Sequence, residues 1–276
     1  MPALTWLYVP GDRPDLYGKA AESGADVLIL DLEDAVIPAH KPQARAQVCS
    51  WLPYAAPGSV EVRVNAIGTP WVADDLESLG DLPALRAVRV PKAESASDVH
   101  AVVELLASSR AGVSCLIESA RGVESAFEIA TAHPRVVSIG LGEADLASDL
   151  GVTGDDALGW CRSRLVVAAR AAGLAPPAMS VYPHVDDLDG LARSCHVGRR
   201  LGFRGRAAIH PRQVPVIREA FRPGADEIAD AQALLDALRA GVEAGRGAVA
   251  LPDGRMVDPA MIGRAQRILE DAGLLG

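Results

Sequence analysis

Aromatic side chains are scarce in this chain of 276 residues, which has three Phe, four Tyr and four Trp. So few flat faces leave little material for stacking nucleic-acid bases. Positive charge is short as well: 27 Lys and Arg stand against 36 Asp and Glu, a formal charge of −9. No basic footprint for nucleic acid or an anionic membrane surface results from that balance. An anionic substrate is still allowed, because a local arginine or a metal ion reverses the sign of a pocket. The four cysteines, Cys49, Cys115, Cys161 and Cys195, lie too far apart for a disulfide framework or for zinc-ligand spacing. They read as reduced thiols in a cytoplasmic protein. The longer uncharged stretches fall short of a membrane span, and Ala171 to Val185 is interrupted by Pro176-Pro177. Met1 to Trp6 lacks a basic n-region and runs quickly into Gly11-Asp12-Arg13, so no secretory signal is expected.

What the chain does have is apolar material, 49% of its residues, enough for a real core. Short apolar runs alternate with helix-like stretches. Strands are expected at Trp6–Val9, Val27–Leu30, Glu61–Val64, Ala87–Val90, Ser114–Ile117, Val136–Ile139, Met179–Val181 and Arg206–Ile209. Helical periodicity fills Leu16–Ser23, Gln43–Leu52, Ser97–Ala107, Val123–Ala132, Ala157–Ala172 and Leu188–Leu201. Pro14 and Pro42 suit first turns, Ser97-Asp98 supplies a capping oxygen and an early acid, and Gly24, Gly173 and Gly202 suit stops. Strands alternating with helices predict a parallel sheet, since each crossover helix covers a face. Eight strands before residue 210 predict an α/β fold of the (β/α)₈ TIM-barrel type. An open doubly wound sheet is disfavoured, because Gly11 stands alone where a Gly-rich phosphate turn belongs. Residues 1–224 are expected to form the barrel. Residues 225–276, with a long helix over Asp226–Ala244 and a last one near Pro259–Ala272, are expected to form a C-terminal helical arm or lid.

Barrel chemistry sits at the carboxyl ends of strands. Those ends carry Asp31, Glu33 and Asp34, then Arg63 with Asn65, Lys92, Glu118, Glu143 with Asp145, and His210. An apolar barrel needs none of them, and ionised groups there are costly unless paired or metal-bound. A structural network of acids with Arg63 and Lys92 is the plainer account of the set. Glu118 and Asp145 follow neighbouring strands with no His or Cys beside them, which suits a hard cation such as Mg²⁺, with Mn²⁺ as substitute. His210 reads as a strand-end histidine bonding a loop, and Asp155-Asp156 as a helix first turn. Arg199, Arg200, Arg204 and Arg206 read as a solvated basic patch or a contact for a carrier's phosphates.

The chain resembles the citrate lyase β-subunit-like group, which includes malyl-CoA and citramalyl-CoA lyases and is related to the HpcH/HpaI aldolases. The resemblance rests on Tyr8-Val9-Pro10-Gly11-Asp12-Arg13-Pro14 with Lys19, and on Leu30-Asp31-Leu32-Glu33-Asp34-Ala35-Val36 followed by Lys41. Further matches are Arg63-Val64-Asn65, Pro91-Lys92, Ile117-Glu118-Ser119, Gly142-Glu143-Ala144-Asp145-Leu146, Ile209-His210-Pro211 and Asp253-Gly254-Arg255-Met256-Val257-Asp258. They run in the group's order over nearly the whole chain. What it implies is a Mg²⁺-dependent lyase on a barrel, usually a trimer, that splits a C–C bond in a hydroxyacyl thioester. On this resemblance Glu118 and Asp145 are the metal ligands, and Arg63 binds the substrate's carboxylate or carbonyl oxygen. Glu33 and Asp34 hold metal-bound waters and orient Arg63, while Tyr8, Arg13 and Lys19 lie near the acyl thioester. Asp258 is the acid/base that reaches a neighbouring subunit's site. The partner is then an acyl-CoA or acyl-carrier thioester of the malyl, citramalyl or citryl type. Two other readings remain: a citrate lyase β subunit acting on an acyl-carrier protein within a complex, and a pyruvate-type aldolase acting on free oxo-acids.

Overall fold

A computed structural model describes residues 3–106, 109–251 and 254–275. Ala107 and Asp253, which figure in the sequence expectations, lie outside that range. The chain divides into two compact units, Ala3–Ala220 and Phe221 onward.

In the first unit seven strands form one parallel sheet in the order β6-β5-β4-β3-β2-β1-β7. They are β1 (Thr5–Pro10), β2 (Val27–Asp31), β3 (Val60–Arg63), β4 (Leu85–Val90), β5 (Gly112–Ile117), β6 (Val136–Leu141) and β7 (Arg206–Ala208). Every residue of β2 is buried, as expected of a near-continuous apolar run covered on both faces. Because all the strands run the same way, their carboxyl ends lie along one edge. Register then sets neighbours there: Asp31 is opposite Arg63, Val90 opposite Cys115, and Ile117 opposite Leu141.

The expected strand at Met179–Val181 is reduced to one parallel bridge, Met179 to Arg206. Pro176 and Pro177 precede it and Pro183 follows, which bounds the segment on both sides. Ser180 still reaches across, its Oγ accepting the Glu143 N–H at 3.4 Å. The sheet is α/β and parallel, with its first strand bonded on both sides.

Local signals explain most boundaries. The helix Ala96–Leu105 is capped by Ser95 rather than Ser97, and Asp98 closes a reciprocal capping box. Ser95 is extended and stands three residues before Asp98, the spacing a box requires. The expected helix Val123–Ala132 is broken in two, Ala120–Glu124 and Ala126–Thr131. Leu188–Leu201 ends on Gly202 at φ 99°, a left-handed stop that glycine adopts without strain.

The sheet also contains paired charges. Arg89 on β4 donates to Glu61 Oε2 on β3 from Nε and Nη2, at 3.0 and 2.7 Å, and Trp6 Nε1 donates to Glu61 Oε1 at 3.2 Å. Both ions are buried, and each is satisfied by its partner.

The second unit packs the helices Ala225–Glu243 and Ile262–Asp271 around Leu234, Leu238, Leu251, Val257 and Leu269. A two-residue ribbon pairs β8 (Val249–Ala250) with β9 (Met256–Val257). Among the described residues, no helix is long and apolar enough to cross a membrane.

One polar clamp secures the start of the first unit. Asp26 accepts the N–H groups of Leu4 and Thr5, both at 2.9 Å, and Arg218 Nη2 at 2.8 Å. Burial opposes its charge, yet these donors hold its carboxyl below the usual range. Asp26→Asn should therefore cost about 1–3 kcal/mol at pH 7 by urea unfolding. A depressed folded-state pKa stabilises fully above the unfolded value of about 3.9, and that advantage disappears as pH falls through the folded value. The gap between wild type and variant should accordingly close in acid.

Candidate active site

Arg63, the last residue of β3, is held across the sheet by Asp31, the last residue of β2. Its Nε and Nη2 donate to the two Asp31 oxygens at 2.7 and 2.6 Å. The remaining nitrogen, Nη1, lies 2.9 Å from Glu33 Oε2 and 3.4 Å from Asp34 Oδ2. The Tyr8 ring, from β1, sits 5.1 Å from the guanidinium carbon. A planar fork held on one edge by a carboxylate and stacked on a ring has a fixed orientation.

Asp31 also builds the loop that carries the next two acids. Its Oδ1 accepts the Glu33 N–H at 2.9 Å and its Oδ2 the Ala35 N–H at 3.3 Å. Glu33 is thereby turned inward and buried, while Asp34 remains exposed. Burial raises the Glu33 carboxyl above its ordinary range, opposed by Arg63 and Lys92. Its Oε2 is buried without an aligned hydrogen bond, even though Arg63 is near.

Lys92, just beyond β4, works with both ends. Its Nζ lies 2.6 Å from Glu33 Oε1, and its backbone N–H donates to Glu118 Oε2 at 3.0 Å. It is the one non-glycine residue with positive φ among the described residues, at 53°. Such a left-handed lysine costs of order 1–3 kcal/mol and clusters at functional sites.

Glu118 follows β5 and is buried. Burial, together with the charges of Glu33 and Asp145, pushes its carboxyl up to about 7 against the pull of Arg63 and Lys92. Gly142, which follows β6, leaves the space the carboxylate occupies: a Cβ there would run into Glu118 Oε1. Asp145 is exposed in the first turn of the helix Glu143–Leu150. Glu143 is committed elsewhere, both its oxygens bonded by Arg162 at 2.8 and 2.6 Å.

This donor set fits a hard cation. A buried carboxylate raised by two neighbouring negative charges is one a divalent ion would discharge. No group of three or more His, Cys, Asp or Glu gathers into a metal cage among the described residues. Mg²⁺ needs only one or two protein carboxylates and keeps waters for the rest.

Other residues singled out in the sequence make contacts of their own. Arg13 is exposed and bonded to Asp15 at 2.8 and 2.7 Å, and Lys19 is exposed on the helix Pro14–Ala21. His210 Nδ1 accepts the Arg212 N–H at 3.2 Å, a loop contact. Asp155 pairs with Arg162 at 2.6 Å. Asp258 lies in the second unit, where its Oδ1 accepts the Ala260 N–H at 2.9 Å and caps the turn Pro259–Met261. Asp31 and Lys92 were visible in the sequence only as polar strand ends. Their roles as clamp and bridge depend on register and on a backbone angle.

If the cation sits on Glu118, Gly142→Ala should displace that carboxylate and weaken Mg²⁺ binding about 10- to 100-fold, measured by calorimetric titration. Unchanged Mg²⁺ affinity in a folded variant would separate Glu118 from the metal.

Comparison with known proteins gives the family. Residues 4–211 match the family model described as HpcH/HpaI aldolase/citrate lyase. Citrate lyase subunit beta from Leuconostoc mesenteroides subsp. cremoris is 32% identical over 281 residues, covering 96% of this chain and 92% of that protein. The L-malyl-CoA/beta-methylmalyl-CoA lyase of Cereibacter sphaeroides is 35% identical over 303 residues, with 98% and 94% covered. Among solved structures, CitE from Mycobacterium tuberculosis in complex with magnesium, acetoacetate and coenzyme A superposes with a TM-score of 0.83 at 37% identity, covering 98% of both chains. By the extent of the family match and these full-length likenesses, the chain belongs to the HpcH/HpaI aldolase/citrate lyase family.

Proposed function

We propose that this protein is a Mg²⁺-dependent carbon–carbon lyase that cleaves a 3-hydroxyacyl thioester of the malyl, citramalyl or citryl type into an acyl thioester and an oxo-acid. The observation that carries the reading is the buried Glu118, held by the Lys92 N–H, seated against Gly142 and set among the groups that fix Arg63. The citrate lyase and malyl-CoA lyase relatives, and the relative solved with magnesium and coenzyme A, support the substrate class.

Glu118 and Asp145 are the ligands for Mg²⁺, which when bound supplies Lewis-acid polarisation of the substrate's hydroxyl and carboxylate oxygens. Arg63, oriented by Asp31 and Tyr8, donates to the substrate's carboxylate and hydroxyl oxygens, favouring the alkoxide from which the oxo-acid carbonyl forms. Glu33 and Asp34 hold Arg63 from its other side and accept hydrogen bonds from water at the site. Tyr8, Arg13 and Lys19 bind along the acyl thioester. The hydroxyl proton passes to water held by Glu33 and Asp34, the C–C electron pair passes to the thioester enolate, and Asp258 protonates the enolate carbon; in the reverse direction Asp258 removes a proton from the acyl methyl.

The same reading completes the architecture. The Met179–Val181 segment closes the sheet into a (β/α)₈ barrel over residues 1–224, and the bridge to Arg206 with the Ser180–Glu143 contact supports this. Residues 225–276 act as a lid, delivering Asp258 to the site of a neighbouring copy in a cytoplasmic homotrimer.

The decisive experiment is a panel of malyl-, β-methylmalyl-, citramalyl- and citryl-CoA, assayed for released oxo-acid with and without Mg²⁺. Cleavage of at least one thioester, abolished by chelation and in Glu118→Ala and Asp145→Ala, is expected. Activity only on acyl-carrier thioesters would point to a citrate lyase β subunit, and activity only on free oxo-acids to an aldolase.

Shared sites make a separate prediction. Inactive Asp258→Ala subunits mixed with inactive Glu118→Ala subunits should regain activity in hetero-oligomers. No recovery despite proven mixing would show that Asp258 does not act across a subunit boundary.

A further inference from the structure

Against the loop that carries Glu33 and Asp34 lies a charged group to which the reaction above gives no chemical step. Lys41, the first residue of the helix Lys41–Trp51, is buried. Its Nζ donates to the carbonyl oxygens of Leu32 and Glu33, both at 2.8 Å, and stands 5.1 Å from the centre of the Trp71 ring. The ammonium therefore has two carbonyls and an aromatic face and, among the described residues, no carboxylate in direct contact. A buried ammonium is expensive, and a neutral residue of similar length would fill the same space without that cost.

Its placement is complementary to that of Asp31. Asp31 collects N–H groups of this loop, from Glu33 and Ala35, while it grips Arg63. Lys41 collects carbonyls of the same loop, from Leu32 and Glu33. The Glu33 carbonyl also accepts the Val36 N–H at 3.1 Å, and the Leu32 N–H is fixed to the Arg63 carbonyl at 2.8 Å. The backbone from Leu32 to Ala35 thus has N–H groups held by a buried anion and carbonyls held by a buried cation. The loop's side chains fall where Glu33 meets Arg63 and Lys92 as a consequence.

We infer that Lys41 is a positioning residue for the lyase reaction, holding the Leu32–Val36 backbone so that Glu33 keeps Arg63 and Lys92 in place. It touches no reacting atom, and the inference rests on the function proposed above. With the ammonium gone, two buried carbonyls lose a donor, the loop relaxes toward water, and the guanidinium loses one of its two sides of support.

The test compares wild type with Lys41→Met and with Lys41→Cys alkylated by 2-bromoethylamine, which restores an ammonium at nearly the same reach. Wild type treated with the same reagent controls for modification elsewhere. Two readouts are taken, steady-state kinetics on the thioester panel and amide hydrogen exchange of all peptides. For Lys41→Met, kcat should fall about 100-fold with little change in KM. Exchange over residues 32–36 should quicken about tenfold or more, while β4 and β5 keep their wild-type protection. The aminoethylated variant should recover most of both. A fall in kcat with loop exchange unchanged overturns the inference, as does faster exchange throughout the sheet, which would mark a general loss of stability. Normal kinetics with normal exchange overturns it as well. If loop exchange responds and is rescued, but even wild type cleaves no thioester, the positioning of the loop stands and the lyase reading fails.

Discussion

A single cross-strand ion pair organises the active edge of this protein. Asp31 and Arg63 end neighbouring parallel strands in register, and their two bonds of 2.6 and 2.7 Å fix the guanidinium plane. Everything nearby is arranged on that plane. Tyr8 lies against its face, and Glu33 and Asp34 meet its free nitrogen. Through Glu33 the network reaches Lys92, and through the Lys92 backbone it reaches Glu118. A shift of one residue between β2 and β3 would point the two side chains to opposite faces and dissolve the whole set.

Such a concentration of charge is tolerable because few members are left without a partner. Glu61 and Arg89 neutralise each other within the sheet, and Arg162 engages Glu143 completely. Removing one side of any such pair would leave an uncompensated buried charge, which is far worse than never having placed the pair. Against that background Glu118 stands out: one oxygen has the Lys92 N–H, and the neighbours that face it include two further acids. Its raised carboxyl is the local imbalance that a divalent cation corrects. The strained φ of Lys92 belongs to the same site, since that backbone angle accompanies an N–H aimed at Glu118 while the side chain reaches back to Glu33.

Much of this was legible in the residues themselves. The alternation of apolar runs with periodic segments announced a parallel α/β sheet, because only a crossover helix can return the chain to the same edge. Seven strands stand where the runs are, and in β1 to β6 the reason is that most of the Val, Leu and Ile there are buried from water. Acids and bases just after the runs stood out as chemistry, because a barrel core has no use for them. Resemblance added roles to Arg63, Glu118 and Asp145. The seventh run misled in extent: Met179–Val181 is apolar enough for a strand, but only one bridge, Met179 to Arg206, forms.

By itself, then, the sequence determined the class of fold, the edge on which the polar strand ends gather and the hard, carboxylate character of the pair proposed for the metal, since pattern and residue type are local properties. Only the tertiary structure decided which charges meet. Asp31 had to be paired in register with Arg63 before it was recognisable as a clamp, and Lys41 had to be buried under a loop nine residues earlier. Glu143 and Asp145 are two residues apart and chemically alike, yet one is wholly taken by Arg162, in a helix well along the chain. Partners separated by tens of residues become neighbours only through strand register and helix packing, and no local pattern encodes that distance.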